Sequence, residues 1–247
     1  MVKIDGKAFS QVILEKIREE HNQLKEKYGK QAGLAVVIVG NNPASQVYVR
    51  NKMKSCENVG FYSENIELDE NISEEELLQE IDKLNKNDRI NGILVQLPLP
   101  SHINELKIID SISPEKDVDG FHVANIGKMV IGDETGFLSC TPYGIMQLLE
   151  EYKIEIAGKD AVIIGRSNIV GKPMALMLIQ KGATVQVCNS RTKDLRKKLN
   201  DADIIIVAAG VPKLLKKEDV KEGAVVIETV VKDRAKVKTE DWIRLNY

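Results

Sequence analysis

Two successive rounds of alternating helix and strand predict an α/β protein of two domains. Three observations carry that expectation. Residues 34–97 read strand, helix, strand, helix, strand; residues 161–227 repeat the alternation around a glycine loop; and residues 113–140 between them are richer in Gly, Asp and Pro. The expected architecture is a three-layer α/β domain over residues 1–115 and a second parallel-sheet domain over 116–247. A helix from about residue 141 links the two, with a cleft between them.

Phe9, Ile13, Ile17, Leu24 and Tyr28 form a helical stripe that ends at Gly29. Leu34 to Val39 is a continuous apolar, β-branched run, as expected of a strand covered on both faces. Asn42 then caps a helix with Pro43 in its first turn, and that helix carries Tyr48, Lys52 and Cys56. A short strand over Asn65–Leu68 precedes Ser73-Glu74-Glu75-Glu76, a capping box whose helix turns Leu77, Leu78, Ile81 and Leu84 inward. Asn91-Gly92 leads into a strand over Ile93–Leu97, which Pro98 and Pro100 stop. Beyond the seam, Thr141-Pro142 starts a helix with Ile145, Leu148, Leu149 and Tyr152 on one face. The second alternation has strands at Ala161–Ile164, Thr184–Cys188, Ile204–Ala208 and Ala224–Ile227, with a helix ending at Lys181 before Gly182.

Composition excludes several function classes. At 247 residues the chain is long enough for a full core, and 43% hydrophobic with 29% charged residues is ordinary for a globular protein. A formal charge of −2 gives no electrostatic reason to expect nucleic acid or an anionic membrane. No run is apolar enough to span a bilayer, and the amino end lacks a signal peptide's apolar stretch, so the expected compartment is the cytoplasm. Lys213, Lys216, Lys217 and Lys221 read as a solvated face. Cys56, Cys140 and Cys188 lie far apart with no C-x-x-C pair; each is expected to be a small buried hydrophobe in a reducing compartment. His21, His102 and His122 show no metal-ligand spacing, so no metal and no Cys/His nucleophile pair is expected.

The run Gly165-Arg166-Ser167-Asn168-Ile169-Val170-Gly171-Lys172-Pro173 lies between a strand and a helix, the setting of a dinucleotide pyrophosphate site. Small residues let backbone approach the phosphates, and a helix amino terminus supplies free N–H groups and partial positive charge. The spacing is not G-x-G-x-x-G, since Ser167 stands for the second glycine and Gly171 falls one place late. A Rossmann-like domain is therefore expected from context more than from letters. NAD sites place an acid about 20 residues past the loop to bind the ribose hydroxyls. Here that strand ends Cys188-Asn189-Ser190-Arg191-Thr192, without an acid and with a cation. Arg166, Ser190 and Arg191 are the expected holders of a 2′-phosphate, which selects NADP over NAD. The alternative is that Arg191 begins the next helix in solvent.

Three further stretches join this loop: Pro43-Ala44-Ser45-Gln46-Val47-Tyr48-Val49-Arg50-Asn51-Lys52, Gly92-Ile93-Leu94-Val95-Gln96-Leu97-Pro98-Leu99-Pro100, and Pro114-Glu115-Lys116-Asp117-Val118-Asp119-Gly120-Phe121. Taken together and in this order, the four stretches resemble the bifunctional methylenetetrahydrofolate dehydrogenase/cyclohydrolase family, from about Ile4 to Ile227. By themselves, Tyr48 and Lys52 are one helical turn apart, which suits a surface ladder or a catalytic pair. Gln96 ends an apolar strand, where its amide needs partners and where α/β sheets bind ligands. Asp119 sits in a glycine-flanked turn, as a turn former or a ligand.

The resemblance implies NADP-dependent oxidation of 5,10-methylenetetrahydrofolate, then hydrolysis of the methenyl product to 10-formyltetrahydrofolate, by a homodimer. It implies proton transfer and activation of the bridging carbon for Lys52, and hydrogen bonding to that lysine for Gln96. It implies folate stacking for Tyr48 and binding of the pterin's amino edge for Asp119. A lysine acts as a base only where burial or a neighbour favours its neutral form, which gives Gln96 a physical purpose. After Ile227 the family continues with an aspartate, a glycine and a long tail, including a T-P-V-P-G-G-V-G-P-M-T stretch near the cleft. This chain reads Glu228-Thr229-Val230-Val231-Lys232-Asp233-Arg234, with no Gly or Pro after Gly223. The expectation is a shortened end lacking part of the substrate pocket, either natural or frameshifted. A dehydrogenase without cyclohydrolase activity, or a non-catalytic NADP- or folate-binding protein, therefore stays as an alternative.

Overall fold

The computed structural model describes residues 4–211 and 214–229; Lys213 of the basic run and the tail from Val230 lie outside the described residues. The chain forms two compact units, Asp5–Leu138 and a second from Ser139 onward. The composition of residues 113–140 predicts a boundary at 115/116, whereas the units divide at Leu138/Ser139. The side chain of Asn125 donates to Pro114 O and to Asp117 Oδ2, both at 2.9 Å, so the intervening stretch folds with the first unit.

The first unit is built from α1 (Gly6–Tyr28), β1 (Gly33–Val39), α2 (Pro43–Val59), β2 (Tyr62–Leu68), α3 (Glu74–Asn85), β3 (Gly92–Val95), α4 (Glu105–Ser111) and α5 (Val123–Ile131). Its sheet is parallel, in the order β2-β1-β3, with Leu34 opposite both Ser63 and Gly92. Alternate residues of β1 serve opposite layers. Ala35, Val37 and Val39 join Leu77, Ile81 and Leu84 of α3 and Ile108 of α4, while Val36 and Ile38 pack with Val49 of α2. Truncating one such fully buried side chain, Leu77 or Ile81, costs about 2–5 kcal/mol. The helix ends follow the local chemistry. Asn42 Oδ1 accepts from Ala44 N at 3.0 Å and Ser45 N at 3.2 Å, a cap worth about 1 kcal/mol. Ser73 and Glu76 close the capping box, at 3.2 and 3.0 Å.

The second unit contains α6 (Cys140–Glu151), β4 (Asp160–Ile164), α7 (Gly171–Gln180), β5 (Thr184–Cys188), α8 (Leu195–Leu199), β6 (Ile204–Val207) and β7 (Val225–Glu228). All four strands are parallel, in the order β5-β4-β6-β7. Helix α7 packs on β4 and β5 and buries Met174 and Leu178 completely. In both sheets the chain starts in the interior, adds the next strand on one side, and crosses back to the other. That reversal opens a crevice at the carboxyl ends of β1 and β3, and another at those of β4 and β6.

The structure adds two helices to the sequence reading and corrects one expectation. Helix α5 occupies Val123–Ile131 within the Gly-, Asp- and Pro-rich stretch, and α4 precedes that stretch. Helix α4 is only 7 residues long, and α5 buries only Asn125 and Met129, so neither shows a long apolar stripe. Cys56 and Cys188 are buried as expected, but Cys140 is exposed. Helix α6 turns Pro142, Ile145, Met146 and Leu149 inward, and Cys140 lies off that face.

Candidate functional site

Asn42 and Pro43 set the start of α2, and from that start Tyr48 and Lys52 fall one turn apart. Lys52 is half-buried and its Nζ donates to Gln96 Oε1 at 3.3 Å. Gln96 follows β3 directly, and its backbone N–H extends the ladder to Val37 O at 2.8 Å. Its side-chain Nε2 donates to Leu97 O at 2.8 Å. The amide is thereby oriented: its nitrogen is engaged, so its oxygen must face the lysine. Tyr48 is 43% exposed and its side chain makes no hydrogen bond among the described residues, which leaves a ring face open. The structure thus joins Lys52 to Gln96 directly and sets Tyr48 on the same helix.

Asp119 is half-buried in the turn that follows β3 and α4, before Gly120 at φ +67°. The residues that shape this turn escaped the sequence analysis. Asp117 and Asn125 are each 2% exposed and bonded to each other. Lys116 Nζ donates to the carbonyls of Leu84 and Asn85 in the last turn of α3 and of Asn87 just past it, at 3.2, 2.7 and 3.0 Å. The only local signal is charge in a short stretch that leads back toward an apolar strand; the partners are distant in the chain.

In the second unit, Gly165 directly follows β4 with φ +133°, and a Cβ there would strike the Ala208 carbonyl beyond β6. A Cβ on Gly171 would strike the Gly165 carbonyl. Only glycine permits this approach of strand, loop and helix, a cradle that suits a pyrophosphate. The expected free amides at the helix start are not free. Ser167 Oγ accepts from Val170 N at 3.1 Å and Gly171 N at 3.4 Å, and Ser167 O accepts from Lys172 N at 3.0 Å. Ser167 stands in the place of the second glycine and uses its hydroxyl as a cap. The amides of Arg166, Ser167, Asn168 and Ile169 carry no hydrogen bond among the described residues, so the donors lie in the loop itself.

Arg166, Ser190 and Arg191 are all exposed at the carboxyl edge of this sheet. Arg191 belongs to a turn and not to a helix: its N–H donates to Asn189 Oδ1 at 3.0 Å, and α8 starts only at Leu195. Asn189 N in turn donates to Thr192 Oγ1 at 2.8 Å. Neither guanidinium has a hydrogen-bond partner among the described residues. Lys172 Nζ donates to Asn168 Oδ1 at 2.7 Å and is the second cation of the Gly165–Pro173 run beside Arg166. At the end of β7, burial pushes the Glu228 carboxyl above its ordinary range. Among the described residues no group of three or more His, Cys, Asp or Glu could hold a metal ion, and no helix is long and apolar enough to cross a membrane.

Comparison with known proteins covers both units. Residues 4–119 match the family described as tetrahydrofolate dehydrogenase/cyclohydrolase, catalytic domain, and residues 139–241 match its NAD(P)-binding domain. The Bifunctional protein FolD of Agathobacter rectalis is 54% identical over 235 residues, 95% of this chain and 84% of that protein. The crystal structure of the bifunctional enzyme FolD, a methylenetetrahydrofolate dehydrogenase/cyclohydrolase, from Campylobacter jejuni superposes with TM-score 0.89 at 54% identity, covering 90% of this chain and 79% of that one. The dehydrogenase-cyclohydrolase of Trypanosoma brucei, solved with NADP cofactor and inhibitor, superposes with TM-score 0.88 at 38% identity, covering 91% and 77%.

Proposed function

The chain belongs to the tetrahydrofolate dehydrogenase/cyclohydrolase family, and from that premise we propose which residues carry its chemistry. The protein oxidises 5,10-methylenetetrahydrofolate with NADP and hydrolyses the methenyl product to 10-formyltetrahydrofolate. The folate chemistry is assigned to the first unit and the cofactor to the second. The observation that carries the assignment is the 3.3 Å contact between Lys52 Nζ and Gln96 Oε1 at the carboxyl end of a parallel sheet. In hydrolysis, water adds to the methenyl carbon and forms a C–O bond, and Lys52 receives the proton released. The carbinol hydroxyl then gives up its proton as the carbon–N5 bond breaks and N5 takes up a proton, which leaves the formyl group on N10. In oxidation, Lys52 helps to activate the bridging carbon. Gln96 fixes the direction of the lysine. Tyr48 offers its ring as a stacking face, and Asp119 offers two oxygens to the adjacent N–H groups of the pterin.

The glycine cradle and the unpaired loop amides fit the pyrophosphate of NADP, and Arg166, Ser190 and Arg191 hold its 2′-phosphate. NADP bound there supplies the acceptor for the hydride. Lys52→Met is expected to abolish hydrolysis of methenyltetrahydrofolate, followed by its absorbance, while NADP affinity is kept. Near-full hydrolysis by that variant removes Lys52 from the mechanism. A dehydrogenase lacking the second activity would show the same wild-type trace as the mutant, so the assay separates that reading too.

A homodimer in the cytoplasm completes the proposal. Strand β2 pairs on one side only among the described residues, which supports self-association, and the buried Cys56 and Cys188 are in no disulfide, which suits a reducing compartment. Light scattering after size-exclusion chromatography tests the dimer.

A further inference from the structure

Asp119 lies in a turn beside a buried, hydrogen-bonded pair, Asp117 and Asn125. Ile93 N donates to Lys116 O at 2.7 Å, and Ile93 bridges to Asp117 in parallel. The chain entering the Asp119 turn therefore runs beside β3, three residues before Gln96. From Asp117 the chain doubles back around a single carboxylate oxygen. Oδ2 of Asp117 accepts from His122 N at 2.8 Å and from Asn125 Nδ2 at 2.9 Å. Gly120 N closes on Asp117 O at 3.2 Å. Asn125 has both its donors engaged, the second on Pro114 O at 2.9 Å, and its oxygen accepts from Phe137 N at 3.2 Å. Each end of the segment that contains Asp119 is thus tied to the same pair of side chains, both 2% exposed.

We propose that Asp117 and Asn125 are positioning residues, which hold the Asp119 carboxylate in register with Gln96 through the Asp117–Asn125 bond and the Ile93–Asp117 bridge. A carboxylate removed from water is costly unless hydrogen-bonded, and two N–H donors on one oxygen meet that need. They also fix the turn more firmly than a solvated loop would be fixed, because the alternative is an unpaired buried charge. The inference rests on the assignment of Asp119 to the folate.

The test compares Asp119→Ala, Asn125→Ala and the double variant in the full chain, with KM for methylenetetrahydrofolate, kcat and NADP affinity measured for each. Asn125→Ala is expected to raise the folate KM about tenfold, with kcat within about threefold and NADP affinity unchanged. Because it acts through Asp119, the double variant should lose no more than Asp119→Ala alone. Multiplicative losses, or a wild-type folate KM in folded Asn125→Ala, overturn the proposal. A wild-type KM in Asp119→Ala would instead remove the folate assignment of Asp119, and the positioning role with it. Should Asn125→Ala fail to fold, Asp117→Ser and Asp117→Asn carry the test. The first should raise KM and the second, which keeps an oxygen for both N–H groups, should restore it; equal KM values overturn the proposal.

Discussion

Gln96 and Lys52 are bonded in one direction only: the amide oxygen faces the lysine because Leu97 O holds the amide nitrogen. Gln96→Leu keeps the volume but leaves the lysine and the Leu97 carbonyl each without a partner. Leaving a partly buried donor or acceptor without its partner costs about 1–3 kcal/mol, so hydrolysis should fall about ten- to hundredfold. NADP affinity should not change. Wild-type hydrolysis by Gln96→Leu would show that Lys52 works without this contact.

Arg166 and Arg191 are exposed, and their guanidinium groups have no hydrogen-bond partner among the described residues. Each Arg→Ala change should weaken NADP about ten- to hundredfold in a fluorescence titration and leave NAD binding nearly unchanged. Unchanged NADP affinity in both variants would refute the 2′-phosphate assignment.

Two glycines should respond oppositely to alanine. At Gly171 a Cβ meets the backbone of Gly165 and Arg166, so Gly171→Ala must shift strand or helix and should abolish NADP binding. At Gly127, inside α5, a Cβ meets nothing within 4 Å, and alanine should stabilise the helix by about 0.5–1 kcal/mol. Thermal denaturation of both variants, with NADP titration of the first, checks the pair.

Asp203 sets an acid limit for the second unit. Its carboxyl lies below the ordinary carboxylate range, held down first by the Lys221 ammonium at 2.8 Å and then by Asp160 N at 2.9 Å. A depressed folded pKa contributes stability above the unfolded value, near 3.8, that is lost as pH falls through the lower folded value. Asp203→Asn should therefore have a lower Tm than wild type near pH 6, and the gap should narrow below about pH 4. A gap independent of pH would assign the loss to packing instead of charge.

Much of this molecule is legible in the chain because its strands are covered on both faces. Val36–Val39 of β1 and Ala161–Ile164 of β4 read as apolar runs for that reason, and Asn42, Ser73 and Gly29 mark helix ends by side-chain or backbone chemistry alone. Lys52 and Gln96 are visible as candidates, though their contact joins residues 44 apart. What stayed hidden depends on such distances. Asp117 looks like a solvated turn acid until Asn125 and His122 fold over it. Ser167 looks like a tolerated replacement for glycine until its hydroxyl caps the helix. Helices α4 and α5 are too short or too exposed to write a stripe.

The order of the strands has a consequence for precision. In each unit the first strand in the chain, β1 or β4, is an interior strand with neighbours on both sides. Gln96 is bonded to the first, and Gly165 extends the second. Their positions are therefore inherited from the most constrained backbone in each unit. Thermal displacement of these two residues is limited by the core, and an exposed loop such as the Ser190–Arg191 turn has to supply whatever adjustment a ligand demands.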